Sequence, residues 1–228
     1  MGFVLLIVFM FLAFGLTTLF RRWIDVPTLI AVAIGCAVNA NIFNPLTAPI
    51  QLGSFTFSIE IVLYTLFMYT IIVRILDYGY KAAKTMTFTS IAAILISAFI
   101  ELVAVLASNG FVLDTFKSFS YYIFSSIGTV LGVWVMVLIT IKFRKLNLSS
   151  YLIIPVAIAV SSLIHAFFFY GGICLVEWKP IVDSIYLGLG TIIGKAVCIL
   201  LSILCYFINQ KYWKPLNLIE SEPKNGDN

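Results

Sequence analysis

Apolar runs recur along the chain, separated by short polar breaks. They cover residues 3–20, 27–43, 59–76, 86–108, 119–141, 151–176 and 184–209. A helix crossing the hydrocarbon core needs about 20 apolar residues, so each run predicts a transmembrane helix. The second run stops at Asn44-Pro45, and the sixth is expected to tilt or break at Gly171-Gly172. Between the second and third runs, residues 47–58 are more polar, contain Gly53 and alternate as Ser54-Phe55-Thr56-Phe57-Ser58. That stretch predicts a short hairpin or re-entrant loop. Non-helical backbone survives at membrane depth only where it lines protein or water, so a dipping loop would cap a cavity. The expected fold is all-α: a polytopic membrane helix bundle of six or seven transmembrane helices. It forms one domain over residues 1–214, with span 3–20 either part of the core or an accessory helix.

Composition supports this. Of 228 residues, 62% are hydrophobic and 11% charged, against about 45–50% apolar and 25% charged in soluble domains. No room remains for a soluble catalytic domain. The opening Met-Gly-Phe-Val-Leu-Leu lacks a positive n-region, which argues against a cleaved signal peptide, and no Ser or Thr stands at position 6 to suit myristoylation. Residues 215–228 are polar, include Pro223 and Gly226, and read as a disordered tail. Cys36, Cys174, Cys198 and Cys205 all lie in apolar runs with no CxxC pair, and read as small packing side chains.

The net charge of +4 follows membrane sidedness rather than a nucleic-acid partner. Arg21, Arg22, Lys81, Lys84, Lys142, Arg144, Lys145, Lys211, Lys214 and Lys224 fall on one side of the threaded chain, and Lys117 and Lys179 on the other. The positive-inside rule makes the first side cytoplasmic. The expected location is the inner (plasma) membrane, multi-pass, with the N-terminus outside and the C-terminus cytoplasmic.

Ionisable residues inside these runs are the candidate chemistry. A lysine at mid-bilayer costs about 2.5–3.5 kcal/mol on insertion scales, so Lys195 needs a partner, an aqueous cavity or a ligand. Residues three or four apart share a helix face. Gly188, Thr191, Lys195, Cys198 and Ser202 form one stripe. Ser90, Ser97 and Glu101 form another, and Ser161 and Ser162 stand one turn before His165. Glu60 and Tyr64 share a face, as do Cys36 and Asn39. The candidate substrate-binding residues are therefore Lys195, Glu101, His165, Asn39, Tyr64, Glu60, Ser162 and Thr191, with Phe168 and Tyr170 as candidate stacking rings. Two readings stand for Lys195: a structural ion pair with Glu101, or contact with a guest molecule. Gly128-Thr129-Val130-Leu131-Gly132 and Gly190-Thr191-Ile192-Ile193-Gly194 are GxxxG steps that predict close helix packing. Arg74 and Asp77 read as an interfacial anchor that snorkels to the headgroups. Phosphate-loop, HExxH and GxSxG motifs are absent, and with a single histidine no metal site, cofactor or catalytic residue is expected.

Several segments, taken in order, carry a resemblance. They are Asn41-Ile42-Phe43, the polar linker through Ile50-Gln51-Leu52-Gly53, and Arg74-Ile75-Leu76-Asp77-Tyr78-Gly79-Tyr80-Lys81-Ala82-Ala83-Lys84. Lys142-Phe143-Arg144-Lys145, the Pro155-led helix with Ser161-Ser162-Leu163-Ile164-His165-Ala166-Phe167-Phe168-Phe169, and Lys195 follow. Over residues 27–210 the chain resembles the queuosine precursor transporter family, also called the vitamin uptake transporter family. The resemblance implies an importer of 7-deazapurine precursors, with Lys195 at the position of a lysine in the family's last span. The family's acids are replaced, at Tyr69-Thr70 in the third span, near Met136 in the fifth, and at Ser162 or His165 in the sixth.

The expected function is thus import of a small polar heteroaromatic solute by alternating access. The expected partners are the solute, the lipid bilayer and a homo-oligomer. A vitamin-binding subunit of an energy-coupling factor transporter is the alternative, with energy-coupling subunits as partners. A non-transporting membrane scaffold is the third reading.

Overall fold

The computed structural model describes residues 8, 11, 12, 50–52, 55–57, 59–109, 113–178 and 180–212. Two strands, β1 (Ile50–Leu52) and β2 (Phe55–Phe57), pair antiparallel with Ile50 opposite Phe57 and Leu52 opposite Phe55. Five helices follow: α1 (Ile59–Tyr78), α2 (Tyr80–Asn109), α3 (Leu113–Lys145), α4 (Ser150–Glu177) and α5 (Ile181–Tyr212). Four of them are long and apolar enough to cross a membrane, and α5 holds a shorter apolar stretch, Gly194–Ile208. A helical membrane bundle with one small hairpin is therefore present among the described residues. The first two expected spans, 3–20 and 27–43, lie outside them apart from residues 8, 11 and 12.

α1 is the central helix. It packs against each of α2, α3, α4 and α5, whereas the outer helices meet mainly their chain neighbours. Its apolar window Ile61–Tyr78 is 83% buried by protein, against 33–44% for the windows on α2, α3 and α4. Phe67, Ile71, Ile72 and Ile75 are sealed on all sides. The outer helices instead turn Phe88, Phe99, Trp134, Leu138, Leu163 and Phe167 outward, as apolar residues do when the surrounding solvent is lipid.

The joints follow local chemistry. Gly79 alone separates α1 from α2; its φ of +75° is left-handed backbone that glycine adopts without steric cost. Its N–H donates to the Ile75 carbonyl at 2.8 Å, and the Arg144 guanidinium Nη1 donates to the same oxygen at 3.0 Å. The last turn of α1 is thus closed by a side chain from α3. α3 ends in an αL residue, Asn147, with the Leu148 N–H returning to the Phe143 carbonyl at 3.1 Å.

Two expectations are corrected. α4 runs unbroken through Gly171-Gly172, because Gly172 lies flush against the Phe124 ring of α3 and packing supplies what propensity withholds. Arg74 does not snorkel. It is only 1% exposed, and its guanidinium carbon stands 3.4 Å from the Tyr78 ring centre. A cation–π contact within the bundle holds the charge in place of headgroup water.

The Gly128–Gly132 step meets its packing expectation. A methyl at Gly128 would meet the His165 carbonyl at 3.1 Å, and one at Gly132 the Ser161 carbonyl at 2.9 Å. Backbone therefore approaches backbone along the α3–α4 seam. Of the second step, Gly194 is buried and the side-chain position of Gly190 lies outside the description.

Candidate functional site

Polar stripes from four helices converge beside the first turns of α1. α4 presents Ser161, Ser162 and His165, which are 0%, 1% and 6% exposed. α5 presents Lys195 at 3% and Cys198 at 2%; α1 contributes Tyr64 and Thr65, and α3 contributes Ser125.

His165 is the hub. Its Nε2 stands 3.3 Å from the Ser125 hydroxyl. Its ring lies 5.5 Å from the Tyr64 ring, tilted by 42°, and stacks nearly parallel on Phe169 at 5.9 Å. Lys195 is close enough for its charge to act on both His165 and Cys198, and the Cys198 thiol hydrogen-bonds Thr65.

Depth in the bundle follows from helix rise. His165 lies roughly 12 residues from the Glu177 end of α4, and Lys195 roughly 14 from the Ile181 end of α5. At 1.5 Å per residue both sit about 20 Å below the α4–α5 turn, near the middle of helices that are 28 and 32 residues long. Tyr64, which touches His165, is only about 8 Å into α1. The start of α1 therefore lies close to the level of His165. The hairpin immediately precedes that start, and β2 packs against α5. The described part of residues 47–58 is a hairpin.

Hydroxyl satisfaction separates this cluster from ordinary packing. Five buried hydroxyls, one of them in the cluster, return to their own helix. Thr65 donates to the Ile61 carbonyl, Thr70 to Leu66, Thr129 to Ser125, Thr140 to Met136 and Ser202 to Cys198, each at 2.8 Å. The hydroxyls of Ser161 and Ser162 have no hydrogen-bond partner among the described residues. A buried polar group left unmade costs about 1–3 kcal/mol. Both serines stand one turn before His165 on α4, and the Ser161 hydroxyl also lies against Gly132 in the α3–α4 seam.

Of the sequence candidates, the structure brings together Lys195, His165, Tyr64 and Ser162. The side chains of Glu101, Glu60 and Thr191 lie outside the description, and so does all of Asn39. α4 and α1 carry aromatic neighbours of the cluster. Phe169 and Tyr64 flank His165. Phe168 instead packs its Cβ toward Gly128, and Tyr170 lines an outward groove. Sequence reasoning also missed Ser125 and Thr65. Ser125 sits one turn before Thr129 on the glycine face of α3 and offered only that spacing as a signal.

No family model, curated protein or solved structure matches this chain. The site stands on its own geometry: a mid-depth, sealed, polar cluster in which every member named above except Phe169 is at most 8% exposed.

Proposed function

We propose that this chain is an importer of a small polar heteroaromatic solute, working by alternating access around the Lys195–His165 cluster. The observation that carries the reading is the pair of unpartnered serine hydroxyls at mid-depth beside a buried lysine and histidine. Polar groups are held in apolar spans at a cost, and they mark solute pathways.

In this reading Lys195 donates to a carbonyl or anionic oxygen of the solute. His165 accepts from a ring N–H or amino group. Ser161 and Ser162 complete the polar rim, and Phe169 and Tyr64 supply flat apolar walls. Glu101, Glu60, Thr191 and Asn39 extend the site along the neighbouring stripes. The sealed state of the cluster corresponds to an occluded conformation.

The solute class that fits the sequence resemblance is a 7-deazapurine precursor of queuosine, which makes the chain a divergent member of that transporter family. The full bundle then has six or seven spans in the inner membrane, with the C-terminus cytoplasmic. The test is uptake. Cells unable to make queuosine precursors receive the gene and each precursor in turn, and modified tRNA is assayed. Restored modification that Lys195→Ala removes at unchanged protein level is the expected result. No restoration with any precursor defeats the solute assignment, and uptake that survives Lys195→Ala defeats the site.

A further inference from the structure

α4 and α5 enclose a second feature, open to the outside of the bundle and lined by none of the cluster's polar residues. It is a groove of about 540 Å³ lined by Leu163, Phe167, Tyr170, Gly171, Leu175 and Leu189, among others. Its walls are apolar, and Leu163, Phe167, Leu175 and Leu189 are each about half or more exposed. The floor is small. Gly171 has no atom within 4 Å of where a Cβ would stand, and a methyl at Gly188 would meet only Tyr170, at 3.4 Å.

We propose that this groove binds one acyl chain of a bilayer lipid. Length and position argue for that occupant. From Leu163 to Leu175 the groove follows α4 for about 18 Å. One leaflet of hydrocarbon is about 15 Å deep, half of the roughly 30 Å core. The groove therefore runs from the bilayer midplane to one interface. Just beyond Leu175, Trp178 caps α4 in left-handed backbone and is 92% exposed. An exposed Trp at a span terminus sits at headgroup level, which places the mouth of the groove where an acyl chain enters. The lining is almost purely apolar, so it offers a chain nothing to desolvate. Gly171 lets the chain reach helix backbone, where dispersion contacts are densest.

The test uses the full chain purified in mild detergent, with phosphatidylethanolamine and phosphatidylglycerol added, and counts bound lipid by native mass spectrometry. The wild type is expected to retain one lipid through delipidating washes. Gly171→Leu projects into open space and is expected to lose most of that bound species while keeping the wild-type melting temperature. Leu189→Trp narrows the same groove from α5 and is expected to do likewise. Leu95→Trp, on the exposed face of α2, is the control and is expected to keep the lipid. Retention of the lipid by both groove variants overturns the proposal. So does a loss of dimer rather than of lipid, which would make a second copy the occupant. The readout requires no uptake, so its failure and failure of the importer reading are separable.

Discussion

Gly171 and Gly172 are adjacent in α4, and the same substitution is expected to act oppositely on them. Replacing a mid-helix glycine by alanine lowers the entropy lost on helix formation, worth about 0.5–1 kcal/mol. Both positions gain that equally. At Gly171 the new methyl enters open space and meets nothing within 4 Å. At Gly172 it overlaps the Phe124 ring at its root, where the ring joins Cβ and cannot swing away. Forcing extra volume into a packed seam costs about 1–3 kcal/mol. Gly172→Ala should therefore fall about 1–3 kcal/mol below Gly171→Ala. A chain of this length shifts its Tm by about 2–4 °C per kcal/mol. The two variants should then differ by about 2–12 °C, with Gly171→Ala at or above wild type. Thermal unfolding in detergent, followed by tryptophan fluorescence, measures it. Equal melting of the two variants would refute the close α3–α4 seam, and with it the placement of Ser125 against His165.

Other outcomes follow from the same geometry. Ser161→Ala and Ser162→Ala remove hydroxyls that have no partner among the described residues, so Tm should hold or rise while precursor uptake falls; a loss of stability in both would reassign them to structure. Lys195→Ala should leave Tm within about 1 kcal/mol of wild type if the ammonium serves a guest. A drop of about 3–5 kcal/mol, the cost of leaving a buried acid unpaired, would instead assign it to an ion pair. Gly79→Ala puts a side chain at φ +75° and within 2.5 Å of Arg144 Nη1. It should cost at least about 1–2 kcal/mol and disturb the α1–α2 joint, measured as a lower Tm; wild-type stability would contradict that joint.

Much of the architecture was legible in the linear pattern. Runs 59–76, 86–108, 119–141, 151–176 and 184–209 are all helical, within a few residues at most ends, because bilayer thickness and backbone satisfaction leave an apolar run little choice. The hairpin was signalled by alternation around Gly53. The inward facing of Ser90, Ser161, His165, Lys195 and Ser202 followed from helical spacing and the cost of turning polar groups to lipid.

What spacing could not yield was which helices meet. Periodicity orients each helix about its own axis but carries no distance between helices. Hence the central place of α1, the burial of Arg74 against Tyr78, the stacking of Phe169 on His165, and the partnering of Ser125 came only from the packed bundle. The same limit explains Gly171-Gly172. A pair of glycines reads as a break because local propensity is poor there. The fit of one against Phe124 is a tertiary contact within a helix that runs on without a break. The chain's own composition and periodicity thus determined that it lives in a membrane as helices with buried polar stripes. The tertiary structure decided that those stripes meet in one sealed cluster, since only close packing of several helices can bring residues so distant in sequence into contact.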